Sequence, residues 1–365
     1  MNTHRLQQLQ QQTLQHGLDG LALMPGPNLY YVGGIQAHLS ERPLVLFLPA
    51  DDEPAIIIPR LEAVKARDAG IDPQRTFEWG DEEGVTGAFQ QACAYLELSD
   101  FLLGVEALRM RVLELELLHR YAPGLSTAHA EPVLDTLRVT KDDKELAAMQ
   151  QAADIAQTAI ERLLPSLQPG ITERQVAGML SRELLDAGSG PLPFEPIVAF
   201  GPNSAVPHAV PGDAALQEGQ LIVIDWGASV DGYASDITRT YALGPVHDEL
   251  RRIYDLVREA NAAAQRAARP GASGQDIDRA ARDVIRDGGY GDYFVHRTGH
   301  GLGLEAHENP QISQGAVDPL PAGAVFTIEP GIYLPDRGGV RIEDDVVLTE
   351  EGSRSLTTLP RDFIE

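Results

Sequence analysis

The first third of the chain alternates short apolar runs with stretches of helical periodicity. Gly20–Met24, Pro43–Leu48, Ala55–Ile58 and Phe101–Val105 read as strands, and Leu61–Ala69, Thr86–Leu98 and Arg109–Tyr121 as helices. Ahead of them Met1–His16, rich in Gln with Leu6, Leu9 and Thr13 on one face, reads as an amphipathic helix. The alternation predicts a small α/β domain of roughly 125 residues, a typical size for one domain. Its expected extent is 1–128, followed by a linker at 129–140 within the Pro-containing segment Ala122–Thr140.

From residue 141 the pattern lengthens. A helix is expected from Lys141 to about Leu164, ended by Pro165 and Pro169-Gly170. Thr172 and Gln175 form a capping box for the next helix, which runs to about Ala187. Strands Leu221–Val230 and Tyr233–Leu243 then flank Asp231-Gly232, a strong hairpin signal. Two helices follow, His247–Ala268 and Ser273–Asp287, before a second strand pair, Ala324–Tyr333 and Val340–Leu348, joined through Pro335–Gly339. Helix, helix, hairpin is thus repeated across 141–365, although no residue-level repeat is visible.

Composition narrows the class. A chain of 365 residues exceeds one ordinary core, which agrees with two domains. The net charge of −25 and pI near 4.7 argue against nucleic acid or an anionic membrane as partner. The lone Cys93 lies in a helix-like stretch, reads as a small buried apolar residue and fits a reducing cytoplasm. No secretory h-region and no apolar run of membrane-spanning length occur.

Five residues in the second part are chemically out of place. Asp225 ends the apolar run Leu221–Ile224, and Glu329 ends Val325–Ile328. Burying a lone carboxylate costs several kcal/mol or more. If Asp231-Gly232 is a two-residue loop, residue 225 lies opposite 238, and Asp236 becomes the diagonal neighbour of Asp225, about 7–8 Å away. Glu329 and Glu343 pair in the same way if the second turn centres near Asp336. His300 lies among glycines, Gly299, Gly301 and Gly303, whose small size lets the backbone approach closely. The string Gly301-x-Gly303-x-x-Ala306 formally matches a dinucleotide fingerprint, but no predicted strand precedes it and Pro310 stops a following helix. Four carboxylates and an imidazole suit a pair of hard or borderline divalent ions better than a structural zinc, so a two-metal hydrolase is the leading expectation.

The surrounding motifs carry a specific resemblance. They are Val206-Pro207-His208-Ala209, Asp225-x-Gly227, Tyr233-x-Ser235-Asp236-Ile237-Thr238-Arg239-Thr240, Gly299-His300-Gly301-Leu302-Gly303, His307-Glu308-Asn309-Pro310, Glu329-Pro330-Gly331-Ile332-Tyr333 and Arg341-Ile342-Glu343-Asp344. Together they resemble the proline-specific metallopeptidases: Xaa-Pro dipeptidases (prolidases), X-prolyl aminopeptidases and their methionine aminopeptidase relatives. The resemblance implies an α/β creatinase-like N-terminal domain followed by an α+β pita-bread catalytic domain with pseudo-twofold halves. It further implies two divalent ions, Mn²⁺ with Co²⁺ or Zn²⁺ as substitutes. Asp225 would hold one ion, His300 and Glu329 the other, with Asp236 and Glu343 bridging. Glu329 would also shuttle a proton to the leaving proline nitrogen, while His208 and His307 would hydrogen-bond the scissile carbonyl and the oxyanion. Thr238 and Arg341 are expected to orient the acids from behind.

The length of the first domain resembles that of prolidases, so the expected substrate is an Xaa-Pro dipeptide. The alternatives are an X-prolyl aminopeptidase on longer peptides, or a non-catalytic or creatinase-like relative. Many bacterial prolidases have an Arg just after the His-Glu-x-Pro motif, where this chain has Gln311. Arg42, reaching in from a partner subunit of a homodimer, and Arg337 are the expected replacements for holding the proline carboxylate.

Overall fold

In the computed structural model, which describes residues 1–364, the alternating runs of the first unit, Met1–Arg138, build a six-stranded mixed sheet. Its elements in order are α1 (Thr3–Gln15), β1 (Gly20–Leu23), α2 (Pro27–Gly33), β2 (Val45–Pro49), β3 (Ala55–Pro59), α3 (Ala63–Asp68), β4 (Thr76–Trp79), α4 (Thr86–Tyr95), β5 (Leu102–Val105), α5 (Val112–Tyr121), β6 (Ser126–His129) and α6 (Glu131–Arg138). The strand order is β4-β3-β2-β1-β5-β6. The central strands β1, β2 and β3 are buried at every position, which is why they read as continuous apolar runs. In α1 the expected face is the packed one, with Leu9 and Thr13 buried. Cys93 lies in the apolar core of this unit, where burial pushes its thiol up to about 11.

The strands that sequence pattern missed, β4 and β6, are the two edges of the sheet. Every residue of β6 is at least partly exposed, so no apolar run marks it. The segment read as a linker at 129–140 is largely the helix α6, and the unit boundary follows Arg138. Pro132 sits in its first turn, where a missing N–H leaves no helical bond unmade, and Val133 and Leu134 are buried.

The second unit, starting at Val139, opens with α7 (Asp143–Leu163) and α8 (Glu173–Asp186). Both begin with capping boxes, Asp142 with Glu145 and the expected Thr172 with Gln175. Next come β7 (Ile197–Phe200), β8 (Gln220–Trp226), β9 (Ser229–Val230), β10 (Tyr233–Ala234) and β11 (Ile237–Leu243). The pattern then repeats with α9 (Asp248–Ala267) and α10 (Gly274–Asp287), followed by β12 (Gly299–Gly301), β13 (Glu308–Ile312), β14 (Val325–Ile328), β15 (Gly331–Leu334), β16 (Gly338–Arg341), β17 (Asp344–Thr349) and β18 (Gly352–Ser355). Sheets β11-β8-β7 and β13-β12-β14-β17-β18 correspond to the two halves, each covered by its helix pair.

Both hairpins fold in the expected register. Asp231 and Gly232 have φ of 51° and 84°, the pairing needed for a tight primed turn, and Thr238 lies opposite Asp225. Asp336, with φ 60°, centres the second turn, and the pairs Gly331↔Arg341 and Ile328↔Asp344 bracket Glu329 and Glu343.

The two hairpins are tied together beneath the acids by Arg239 and Asp344, both buried. Arg239 donates to Asp344 Oδ1 at 2.8 Å and to the carbonyls of Thr238 and Glu343 at 2.9 and 2.6 Å. Asp344 accepts further bonds from Thr357, Asn261, Gln265 and Arg361. Burial would raise its carboxyl, but Arg239 and Arg361 outweigh it and hold the group below the usual range. Asp344→Ala would leave Arg239 buried and unpaired, so it should destabilise the second unit by about 3–5 kcal/mol. A lowered midpoint with an unchanged slope in urea denaturation is the expected result.

Candidate active site

Asp225, Asp236, His300, Glu329 and Glu343 converge on one cavity of about 700 Å³ in the second unit, which His208, His296, Arg297, His307 and Arg341 also line. The first hairpin supplies Asp225 from the end of β8 and Asp236 from the bend between β10 and β11. The second supplies Glu329 from just beyond β14 and Glu343 from just before β17. His300 is the central residue of β12. Side chains at Gly299 and Gly301 would collide with the backbones of Thr327 and Asn309, so only glycine lets β12 carry His300 this close to its neighbours.

The side-chain spacing suits shared binding of a cation. Ligand atoms of Asp236, His300 and Glu343 lie within 4.8 Å of one another. His300 Nε2 is 3.3 Å from Glu329 Oε1 and 3.8 Å from Asp236 Oδ2. Its Nδ1 is 3.1 Å from the Gly301 carbonyl, which can only accept, so the proton sits on Nδ1 and the Nε2 lone pair faces the carboxylates. Burial, with His307 adding, pushes His300 down to about 3 and keeps it neutral. Asp236, His300 and Glu343 are only 5, 2 and 2 % exposed.

Burial also raises the carboxyls. Glu329 is pushed up to about 7, against the charge of Arg341 and with that of Asp225. Asp236 and Glu343 rise well above the usual range, first from burial and then from the neighbouring carboxylates. Asp225 Oδ1 and Asp236 Oδ1 are buried without any hydrogen-bond partner. Two dry, unpartnered carboxylate oxygens beside a neutral imidazole lone pair fit divalent metal ions.

Arg341 organises the opposite side. It donates to Asp225 Oδ2 at 2.7 Å, to Thr238 Oγ1 at 3.1 Å, to the Tyr333 hydroxyl at 2.9 Å and to the Pro207 carbonyl at 3.2 Å. Thr238 in turn donates its hydroxyl hydrogen bond to Glu343 Oε2 at 2.6 Å. One guanidinium and one hydroxyl therefore position an acid from each hairpin, together with the segment bearing His208. The His307 ring stands edge-on to His300, centroids 4.1 Å apart. Its neighbour Glu308 is anchored by a buried pair with Lys141 at 2.8 Å. Burial first, then Arg297 and His208, lower the pKa of His307.

One of the two expected carboxylate-binding arginines, Arg337, stands outside the cavity lining. It lies on the outer turn between β15 and β16 and is paired with Glu249 at 2.5 Å. Arg42, in the first unit, donates to both Asp81 oxygens at 2.9 Å and to Glu41 at 2.7 Å. Conversely, sequence reasoning passed over His296, Arg297 and Tyr333. His296 and Arg297 head the string that contains His300, and Tyr333 closes the Glu329 motif, so position within the motifs was the available signal. His296 Nε2 contacts the Tyr333 hydroxyl at 2.8 Å, which long-range pairing alone reveals.

A pH dependence follows. Carboxyls with raised folded pKa hold their protons more tightly when folded, so stability drops as pH climbs through those values. The lowered histidines act oppositely, but only below their ordinary value of 6.5. Metal-free protein should therefore melt at a lower temperature at about pH 8.5 than at about pH 6.5, and added Mn²⁺ should close the gap. Equal melting temperatures without metal would contradict the buried-carboxyl account.

Comparison with known proteins agrees with this geometry. Residues 147–350 match the model of metallopeptidase family M24, and residues 5–140 that of the creatinase/prolidase N-terminal domain. The dipeptidase PepE of Mycobacterium ulcerans is 38% identical, with a TM-score of 0.91 over 99% of this chain and 97% of that one. A prolidase from Thermococcus sibiricus is 35% identical, with a TM-score of 0.94 over 100% and 99%. An X-Pro aminopeptidase from Thermotoga maritima is 30% identical, with a TM-score of 0.81 over 97% and 99%. With both domain models matched in order, the expected creatinase-like and pita-bread architecture stands, and the chain belongs to metallopeptidase family M24.

Proposed function

We propose that the chain is a dinuclear Xaa-Pro dipeptidase that hydrolyses the imide bond before a C-terminal proline. The observation that carries this reading is the meeting of four carboxylates and a neutral imidazole around two unpartnered buried oxygens. In this reading Asp225, Asp236, His300, Glu329 and Glu343 would together hold two divalent ions, with Mn²⁺ the proposed native ion. Such ions, when bound, acidify water and polarise a carbonyl oxygen. Thr238 and Arg341 keep Glu343 and Asp225 oriented before substrate arrives.

The remaining steps belong to side chains. Glu329 takes a proton from the attacking water and delivers it to the proline nitrogen, which leaves only when protonated. His208 and His307 donate hydrogen bonds to the scissile carbonyl oxygen and to the oxyanion that replaces it. Pro193, Phe194, Ile197 and Ala306 give the cavity an apolar wall suited to a proline ring or the side chain before it. The single buried cysteine supports a cytoplasmic setting, and a homodimer completes the proposal.

Gln311 favours a second reading, an X-prolyl aminopeptidase, because the cation expected just after the His-Glu-x-Pro motif is missing. With Mn²⁺, kcat/KM for Leu-Pro should exceed that for Leu-Pro-Gly at least about 10-fold; the reverse order would favour the aminopeptidase. Glu329→Gln should lower kcat about 100-fold or more, read in the same assay.

A further inference from the structure

Two guanidiniums line the catalytic cavity, and their circumstances differ. Arg341 is buried and committed to Asp225. Arg297 is half-buried, and among the described residues no carboxylate pairs with it. In a chain with 54 acidic and 29 basic residues, a cation facing an acid-rich cavity without an acid partner is an exception that calls for one. Among the described residues its one side-chain hydrogen-bond partner is a neutral amide: Nη1 donates to Gln311 Oε1 at 2.5 Å.

That partner is well placed to aim the group without neutralising it. Gln311 lies on β13 directly opposite His300, so the strand pair that sets His300 also sets the prop of Arg297. Thr298, the next residue, is buried and bonded to Asp278, which fixes the backbone behind Arg297. The charge of Arg297 is felt at His300, His307 and Glu329, where it adds to burial in lowering both histidines and opposes burial at Glu329. A guanidinium offers a planar fork of N–H donors, and one contact to Gln311 leaves the others for a bidentate carboxylate.

We propose that Arg297, aimed by Gln311, receives the C-terminal carboxylate of the substrate and thereby selects dipeptides. The inference rests on the dipeptidase reading above and assigns the residue that reading lacked. A dipeptide brings its own carboxylate close to the scissile bond and meets Arg297; a longer peptide presents a neutral amide there and leaves the guanidinium unpaired. Gln311 is a positioning residue in this arrangement, and Lys in place of Arg297 would lose the planar fork.

The test compares Leu-Pro with Leu-Pro-amide, which lacks the carboxylate, using the full-length Mn²⁺-loaded protein. Wild type should prefer the free acid. In Arg297→Ala the acid-over-amide ratio of kcat/KM should fall at least about 10-fold, chiefly through KM for Leu-Pro. Gln311→Ala should move the ratio in the same direction by less. Arg297→Gln gives the same readout if the alanine variant does not fold, and metal content is checked in each. Equal losses on both substrates, or an unchanged ratio, would overturn the assignment while leaving the dipeptidase reading intact. A wild-type enzyme that cleaves neither substrate would overturn that reading, and the assignment with it.

Discussion

Four largely buried carboxylates converge on one cavity, and the second unit is arranged around that fact. Self-repulsion and lost hydration would each push such groups apart. The backbone denies them that freedom. Behind the acids, the buried Arg239–Asp344 pair holds the carbonyls of Thr238 and Glu343 together, so neither hairpin can slide on the other. Beside them, Arg341 offsets one negative charge and passes its orientation through Thr238 to Glu343. What is left over is negative charge and two unpartnered oxygens, a preformed demand for cations.

The same logic connects the outer residues to the chemistry. His300 reaches the acids only because glycines flank it on β12, and its neutral state is a consequence of the burial those glycines permit. His208 and His307 come from irregular segments, each fastened by an ion-bearing side chain: Arg341 on the Pro207 carbonyl, and the Lys141–Glu308 pair beside His307. Arg297 is fastened more lightly, by an amide, which keeps its charge available. In the proposed function the rigidly placed acids serve hydrolysis and Arg297 serves recognition, so the two tasks fall to different residues.

Much of this was legible in the sequence, for reasons that are local. Asp231-Gly232 fixed one hairpin register and Asp336 the other, so Asp225 opposite Thr238 and the bracketing of Glu329 with Glu343 followed from period-two geometry. The Thr172–Gln175 capping box marked the start of α8. Edge strands β4 and β6 were missed because a strand that is partly exposed has no apolar run to show, and α6 was hidden by Pro132 at its first turn. The roles of Arg297, Tyr333 and Asp344 depend on side-chain contacts chosen by packing, which no periodicity reports. Arg337 illustrates the converse: it is near Glu343 in sequence, yet Glu249 on α9 claims it.

Metal stoichiometry tests the central claim most directly. Titration of chelator-stripped protein with Mn²⁺, followed by calorimetry and elemental analysis, should give two ions per chain. Asp236→Ala, which removes a proposed ligand, should reduce this to one or fewer. Binding of no divalent ion by the wild-type chain, or full retention of both ions by Asp236→Ala, would contradict the account of why these five residues meet.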